Sequence, residues 1–276
     1  MHAPKLLGLH ASPNRGLRIM LGLLPFILVI GLYLWASDLR LADNPKDKLL
    51  PSPSQMVDNI QRLATEPDKR SGKILLWSDT LASLSRIAMG AGAAAIIGIL
   101  LGLNMGMFKG FSVLFSPVIN FISMIPPLAI LPILFISFGI GELGKVMLIF
   151  IGCCPFIIRD MYLATLAIPR QQVVKALTLG ASPLAIVYRV VLPQLMPRAI
   201  DSLRLTLGAA WLFLIAAEAI ASTEGLGYRI FLVRRYMDMA TILPYVAWVT
   251  LLGFSIDWLL RTLRLKLYPW YQSGDH

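Results

Sequence analysis

Long stretches of apolar residues, each about the length that crosses a lipid bilayer, are the dominant feature of this sequence. Hydrophobic residues occupy 57% of the 276 positions and charged residues only 14%, whereas an ordinary soluble domain has about 25% charged residues. The stretches are too long for barrel strands and do not alternate, so helices are the structures that can satisfy their backbone within the bilayer. The sequence therefore predicts an all-α, polytopic membrane protein and disfavours a soluble enzyme or a disordered tail.

Six membrane-spanning helices are predicted from these stretches. They cover residues 18–37, 82–107, 113–138, 143–166, 200–221 and 241–261. The first is longer than the apolar core of a signal peptide and has no small-x-small cleavage site, so we expect it to be a retained membrane anchor. The remaining segments are an N-terminal segment over 1–17, a polar loop over 38–81 with a short helix near 54–65, a second polar loop over 169–198 and a tail over 263–276. The last five spans form a predicted core over 82–262.

Positive charge is spread along the ends of the apolar stretches. The net charge of +10 could suggest a nucleic-acid-binding protein, but the basic residues form no single patch, so we predict no nucleic acid partner. Six spans place both termini on the same side of the membrane. The basic residues nearest the membrane ends favour the inner side for both termini.

No group of residues has the spacing that catalysis or metal binding requires. The histidines His2, His10 and His276 lie near the termini, and the two cysteines, Cys153 and Cys154, are neighbours that point about 100° apart on a helix. The sequence has no nucleophile elbow, zinc motif or phosphate-binding glycine loop. We therefore predict no catalytic residue, no metal site and no ATPase in this chain, with both cysteines as small core or lipid-facing residues.

Small residues recur at every fourth position of the second predicted span. They are Gly90, Ala94, Gly98, Gly102 and Gly106. Such a stripe allows the backbone of another helix to approach closely, so we predict that it is a helix-packing face.

Three prolines interrupt the third predicted span. Pro126, Pro127 and Pro132 lack backbone donors, so nearby carbonyls must find other partners within the membrane. This pattern fits a broken helix beside a translocation path, and it fits equally a kink with no substrate contact. The adjoining Ser123 and Met124 are candidate path residues.

Few ionisable residues lie within the predicted spans. Glu218 is either a functional intramembrane carboxylate or a satisfied structural one, and Trp211, on the same span, is another candidate path residue. We expect Arg86 to extend to the membrane interface. Asp257 is expected to pair with Arg261, one helical turn away.

The polar loop over 169–198 has the pattern of a helix, a turn and a second helix. Helix-forming residues lead to Gly180, Ser182 has the character of an N-cap, and Pro183 suits a first helical turn. The second helix is predicted to run from Pro183 to Val191 and to end at Leu192-Pro193. Such a unit either binds a soluble partner or lies as an amphipathic helix at the interface.

This loop resembles the cytoplasmic loop of ABC-importer permeases, whose pattern is Glu-Ala-Ala, three residues, Gly, and then Ile-x-Leu-Pro. The positions that match this spacing are Ala176, Gly180, Val190, Leu192 and Pro193. Val174 and Lys175 stand where the family has Glu and its first Ala, so the role of the glutamate is unfilled here.

Further motifs resemble the nitrate/sulfonate/taurine branch of that family, over about residues 45–270. They are Leu49 to Val57, Ser83 to Arg86, Ile125 to Ala129, Phe138 to Glu142 with Lys145, Ala217-Glu218, and Gly225 to Gly227. The resemblance implies the six-helix fold of a type I ABC importer permease, located in a bacterial inner membrane with both termini in the cytoplasm and the loop over 38–81 in the periplasm.

The resemblance also implies partners and a division of roles. Two copies of the chain would form the path, two ATPase subunits would bind ATP and Mg, and a periplasmic binding protein would deliver a small polar or anionic solute such as nitrate, a sulfonate or taurine. Gly180, Ala181, Ser182, Pro183 and Leu184 would form the turn and coupling helix that contact the ATPase. The path would involve Ser123, Met124, Pro126, Pro127, Trp211 and Glu218.

Two questions stay open at this level. Arg229, Arg234 and Arg235, on the predicted outer side, could attract an anion, anchor lipid headgroups or dock the binding protein. The alternative function is an energy-independent channel, or a scaffold that anchors a cytoplasmic partner.

Overall fold

The computed structural model describes residues 15–44, 47–69 and 71–271, and within these ranges the chain forms helices joined by short loops, without a β-strand. Residues 1–14 and 272–276, which belong to the two predicted terminal segments, lie outside the described residues, and so do His2, His10 and His276. The helices are α1 Arg15–Asp43, α2 Pro53–Thr65, α3 Leu75–Met107, α4 Lys109–Met124, α5 Leu131–Phe138, α6 Glu142–Leu166, α7 Arg170–Thr178, α8 Pro183–Ala185, α9 Leu192–Ala221, α10 Leu226–Arg234 and α11 Met239–Leu267.

Five helices are long and apolar enough to cross a membrane. They are α1, α3, α6, the continuous helix Pro183–Ala221 and α11. A sixth is present if α4 and the segment Pro127–Phe138, which is the 3-10 helix Pro127–Ile130 followed by α5, are counted as one span. These two halves meet at an angle of 85°. Consecutive prolines at 126 and 127 deprive the helix of two donors at this bend. The prediction of an all-α polytopic fold is confirmed, and the third span is more sharply bent than an ordinary proline kink.

The helices extend beyond several of the predicted spans: α1 continues to Asp43 and α11 to Leu267, past the predicted ends at 37 and 261. Two further boundaries also differ. The second span begins at Leu75 and not at 82, because the polar residues at the start of α3 are buried against other helices instead of lying in a loop. The second helix of the polar loop does not end at Leu192-Pro193. It continues through a π-helical turn over Ile186–Val191 into α9. Pro193 has no N–H to donate, and next to it the side chain of Gln194 donates to the carbonyl of Val190 (2.8 Å).

The core is built around the packing of α3 against α6. A Cβ atom added at Gly90 would lie 2.7 Å from the Cβ of Ile149, and one at Gly98 would lie 2.8 Å from the Cβ of Ile157. At Gly102 the added atom would lie 2.5 Å from the Cβ of Met161. The stripe packs against α6, as its spacing predicted, and a side chain with a Cβ would clash at these three glycine positions.

The remaining predictions on small residues also agree with the structure. Ala94 is fully buried in the same interface, and Gly106 faces Thr165. Cys153 and Cys154 are both buried in the core.

The short helix predicted near 54–65 is α2, which begins with a capping box in which Ser52 and Gln55 bind each other's backbone.

We predict that Gly102→Ala lowers the free energy of unfolding by about 1–3 kcal/mol, because the new methyl group overpacks the contact with Met161 and with the backbone of Ile158. Gly92→Ala is the matched control on the same helix, since no atom lies within 4 Å of its added Cβ. Thermal unfolding of both variants in detergent measures the difference. Equal stability of the two variants would contradict the close packing.

Candidate functional sites: the α7–α8 turn and the outer polar cluster

The turn between α7 and α8 has a defined geometry. Gly180 has φ of +81°, in the left-handed region that glycine adopts without strain. Its N–H donates to the carbonyl of Leu177 (2.9 Å), and the N–H of Ala181 donates to the carbonyl of Ala176 (3.1 Å). These two bonds form a Schellman motif, which satisfies carbonyls that the end of α7 would leave free.

The next residues start a new helix as their sequence indicated. The side chain of Ser182 accepts a hydrogen bond from the N–H of Ala185 (3.3 Å), and Pro183 occupies the first turn. Ala176, Ala181 and Leu192 pack against a small core cluster that includes Leu103 at the end of α3. The turn is thus fixed at both of its ends.

Apolar side chains on this turn face outward. The exposed fraction is 86% for Leu179 and 62% for Leu184, and Leu177 and Val174 are exposed as well. Isolated exposed leucines are common on protein surfaces, but apolar side chains grouped on one rigid turn are typical of a contact surface. The structure therefore brings together Ala176 through Leu184, whereas Val190, Leu192 and Pro193 belong to the helix behind the turn.

A cluster of charged side chains connects α3, α6 and α9 at the end away from the α7–α8 turn. We call it the outer polar cluster, after the side of the membrane that the sequence predicts for it. Its central residue is Arg86, which is only 1% exposed. The Arg86 guanidinium donates to Glu142 through Nε (2.5 Å) and Nη2 (2.8 Å), and to Glu218 through Nη1 (2.6 Å). The expectation that Arg86 extends to the membrane interface is therefore wrong, because the side chain turns inward to two carboxylates.

Glu218 is a structural member of this cluster. Its carboxylate also accepts hydrogen bonds from Ser83 Oγ (2.8 Å) and from the N–H of Gly227 (2.8 Å). A Cβ atom at Gly225 would lie 2.5 Å from this carboxylate, so the glycine allows the loop to close over it. Glu218 is fully buried within the chain and all of these partners belong to the chain, so the contacts favour its structural interpretation, while its role as a path residue stays a prediction.

The cluster also fixes the loop that follows α9. Arg86 Nη1 donates to the carbonyl of Glu224 (2.9 Å), and Lys145 Nζ donates to Glu142 (2.9 Å) and to Ser222 Oγ (3.2 Å). One guanidinium from α3 and one ammonium from α6 thus bind side chains or backbone of α6, α9 and the loop.

Asp79, which the sequence placed in a loop, is a second fully buried acidic group beside this cluster. It accepts hydrogen bonds from Arg229 Nε (2.8 Å), Tyr245 Oη (3.3 Å) and the N–H of Gly225 (2.9 Å). Burial alone would lower the pKa of the Arg229 guanidinium, but the hydrogen bond and charge of Asp79 outweigh it and raise that pKa. Asp79, Ser83 and Arg86 are spaced as one helix face, and this spacing is the signal that could have identified them.

The other candidate path residues lie in two different environments. Trp211 is buried, and its Nε1 has no hydrogen-bond partner in the described part of the chain. Ser123, Met124 and Pro126 are exposed at the bend after α4, and Met124 is 80% exposed. The structure therefore groups the candidates at the bend, with Pro127 half-buried beside them, and separates them from Trp211 and Glu218.

Ion pairs also connect the helices at the end nearer the α7–α8 turn. Arg198 binds Asp160, and Arg204 binds Asp257, which was expected to pair with Arg261. Among the described residues, no group of three His, Cys, Asp or Glu side chains could hold a metal ion.

We predict that Arg86→Met lowers the free energy of unfolding by about 3–5 kcal/mol, because Glu218 would stay buried without its counter-charge. The double variant Arg86→Met with Glu218→Gln should recover part of this loss, since it removes both charges. Denaturant titration in lipid bicelles measures both values, with exposed Arg62→Met as the control. A loss below about 1 kcal/mol for Arg86→Met would contradict the central role of this residue.

The chain matches known proteins over most of its length. Residues 94–267 match the family described as binding-protein-dependent transport system inner membrane component. The taurine transport system permease protein of Escherichia coli is 31% identical over 222 residues, which are 80% of this chain and 80% of that protein. The bicarbonate transport system permease protein of Synechococcus elongatus is 31% identical over 69% of this chain and 72% of its own length.

The fold is also similar to a solved structure. A chain in the inward-facing MetNI methionine ABC transporter superposes with a TM-score of 0.61 at 20% identity, covering 71% of this chain and 98% of that chain. This similarity concerns the fold alone, while the sequence matches confirm the resemblance that the loop motifs indicated. The chain therefore belongs to the family of binding-protein-dependent transport system inner membrane components, the permease subunits of ABC importers.

Proposed function

We propose that this chain is the permease subunit of an ATP-driven importer for a small solute that carries an acidic group. Two copies of the chain would form the path, two separate ATPase subunits would bind and hydrolyse ATP with Mg, and a periplasmic binding protein would deliver the solute. In this arrangement the chain is a multi-pass protein of a bacterial inner membrane, and both termini and the α7–α8 turn face the cytoplasm.

The observation that carries this proposal is the rigid turn with exposed apolar side chains. Leu179 and Leu184 extend from a segment that the Schellman motif and the Ser182 cap hold in one shape. A preformed surface loses little conformational entropy when a partner binds it. The family match supports an ATPase as that partner.

Coupling requires the ATPase to bind this turn differently in its nucleotide states. A partner that binds two conformations equally well cannot shift the equilibrium between them. The ATPase dimer would therefore move the turns of the two copies when it closes, and the helix Pro183–Ala221 would carry that displacement towards the outer polar cluster. Alternating access of the path is the expected result.

The proposed substrate class rests on relatives that are named for different solutes. The relatives named above are permeases for taurine and for bicarbonate, and a putative aliphatic sulfonates permease of Bacillus subtilis is 26% identical over 82% of this chain and 80% of its own length. These solutes are small and carry an acidic group. We propose a solute of this type, with the exposed side chains at the bend, Ser123, Met124 and Pro126, lining its path.

We predict that Gly180→Val abolishes stable binding of the ATPase, because a β-branched residue at φ of +81° costs about 1–2 kcal/mol and would distort the turn. No atom lies within 4 Å of an added Cβ, so the effect arises from the backbone conformation. Affinity purification in mild detergent followed by mass spectrometry measures the bound ATPase.

Gly180→Asn is the matched control, since asparagine adopts the left-handed conformation at helix ends. It should retain the ATPase and should support uptake in cells. Recovery of the wild-type chain without any ATPase would contradict the proposal and favour the alternative, a channel or a membrane scaffold.

A further inference from the structure

A cavity at the end of α10 combines positive charge with an aromatic wall. Its volume is about 450 Å³, and its lining consists of Ala219, Tyr228, Phe231, Leu232, Arg234 and Arg235. This volume lies within the range of small-ligand sites. The lining includes two cations and no anion.

The three arginines of this region have different environments. Arg229 donates to Asp79 at 2.8 Å, so its charge is compensated within the protein. Arg234 and Arg235 form no ion pair with a carboxylate among the described residues. The partial negative charge at the end of α10 amounts to about half an elementary charge and offsets only part of the two positive charges.

Arg234 is also held in place by an aromatic ring. Its guanidinium carbon lies 5.6 Å from the centroid of Phe231, a cation–π geometry that reduces the freedom of the side chain. A guanidinium that is already oriented can donate two parallel hydrogen bonds to an oxyanion. Tyr228 and Leu232 provide a surface for an apolar group attached to that oxyanion.

The neighbouring cavity has the opposite character. It is lined by Asp47, Asp58 and Asp238 together with Lys48 and several uncharged residues. The two cavities draw on adjoining residues, since Val233 near the end of α10 and Tyr236 just after it line the acidic one. An anion near this end of the molecule is therefore attracted to the cavity of Arg234 and Arg235 and repelled by the other.

We propose that this cavity is a binding site for an oxyanion that carries a small apolar group, with Arg234 and Arg235 as its ligands. The anion comes either from a free organic acid, such as a short alkanesulfonate, or from the headgroup of an acidic phospholipid. Both sources present the same chemistry to the two guanidinium groups. The site does not depend on the proposed transport activity, and it can be tested without the ATPase.

The test uses the full chain in lipid nanodiscs and has two arms. The first arm titrates ethanesulfonate into nanodiscs of phosphatidylcholine alone and follows the thermal unfolding midpoint, which rises when a ligand binds the folded state. The second arm uses nanodiscs that contain phosphatidylglycerol and counts the retained lipids by native mass spectrometry.

The variant is Arg234→Gln with Arg235→Gln, and the control is Arg62→Gln on α2, which also removes an exposed positive charge. We expect the double variant to bind the probe at least about tenfold more weakly, since it loses charge-assisted hydrogen bonds. Both arginines are exposed, so the fold should persist, and Arg235→Gln alone serves if the double variant does not fold.

Each outcome decides the proposal. If ethanesulfonate raises the unfolding midpoint of the wild-type chain and of Arg62→Gln but not of the arginine variant, the site is supported with a free anion as its ligand. Retention of phosphatidylglycerol that only this variant loses supports the site with a lipid headgroup as its ligand. Equal behaviour of wild-type chain and arginine variant in both arms, or an equal loss in Arg62→Gln, overturns it.

Discussion

The ion pairs of the buried Arg86 guanidinium are the interaction on which the half of the structure around the outer polar cluster depends. The guanidinium binds Glu142 at the start of α6, Glu218 near the end of α9 and the carbonyl of Glu224 in the following loop. Removing a charged group from water is costly, and a buried ion pair is stable only when its remaining donors and acceptors are satisfied. Here Ser83 and Gly227 complete the bonding of Glu218, so each group depends on the others.

The small-residue packing stripe and the buried Arg86 lie on the same face of α3. Arg86 precedes Gly90 by four residues, so it begins the same helix face as the small-residue stripe. The glycines allow α6 to approach α3 closely, and this approach brings Glu142 within hydrogen-bond distance of Arg86. A larger side chain in the stripe would therefore disturb the ion pair as well as the contact between the helices.

The features predicted correctly from sequence are those that depend on local spacing. Apolar length identified the helices, a period of four identified the stripe, and Gly180 with Ser182 identified the turn. The partner of Arg86 could not be predicted in this way, because Glu218 is 132 residues distant. Asp79 was assigned to a loop since hydropathy treats a polar residue as exposed, whereas the fold buries it against Arg229. Prolines indicated a break in the third span but not its 85° angle.

Position in the fold, more than the number of charges, determines where an anion can be attracted. Arg229 and Arg234 lie five residues apart on α10, and the sequence alone does not distinguish them. Arg229 is bound by Asp79, whereas Arg234 forms no ion pair with a carboxylate in the described part of the chain. In the outer polar cluster, Arg86 and Lys145 face Glu142 and Glu218, so their charges largely cancel at a distance. The field outside this end of the molecule therefore arises from the side chains that the fold leaves uncompensated, and α10 places two of them at one cavity.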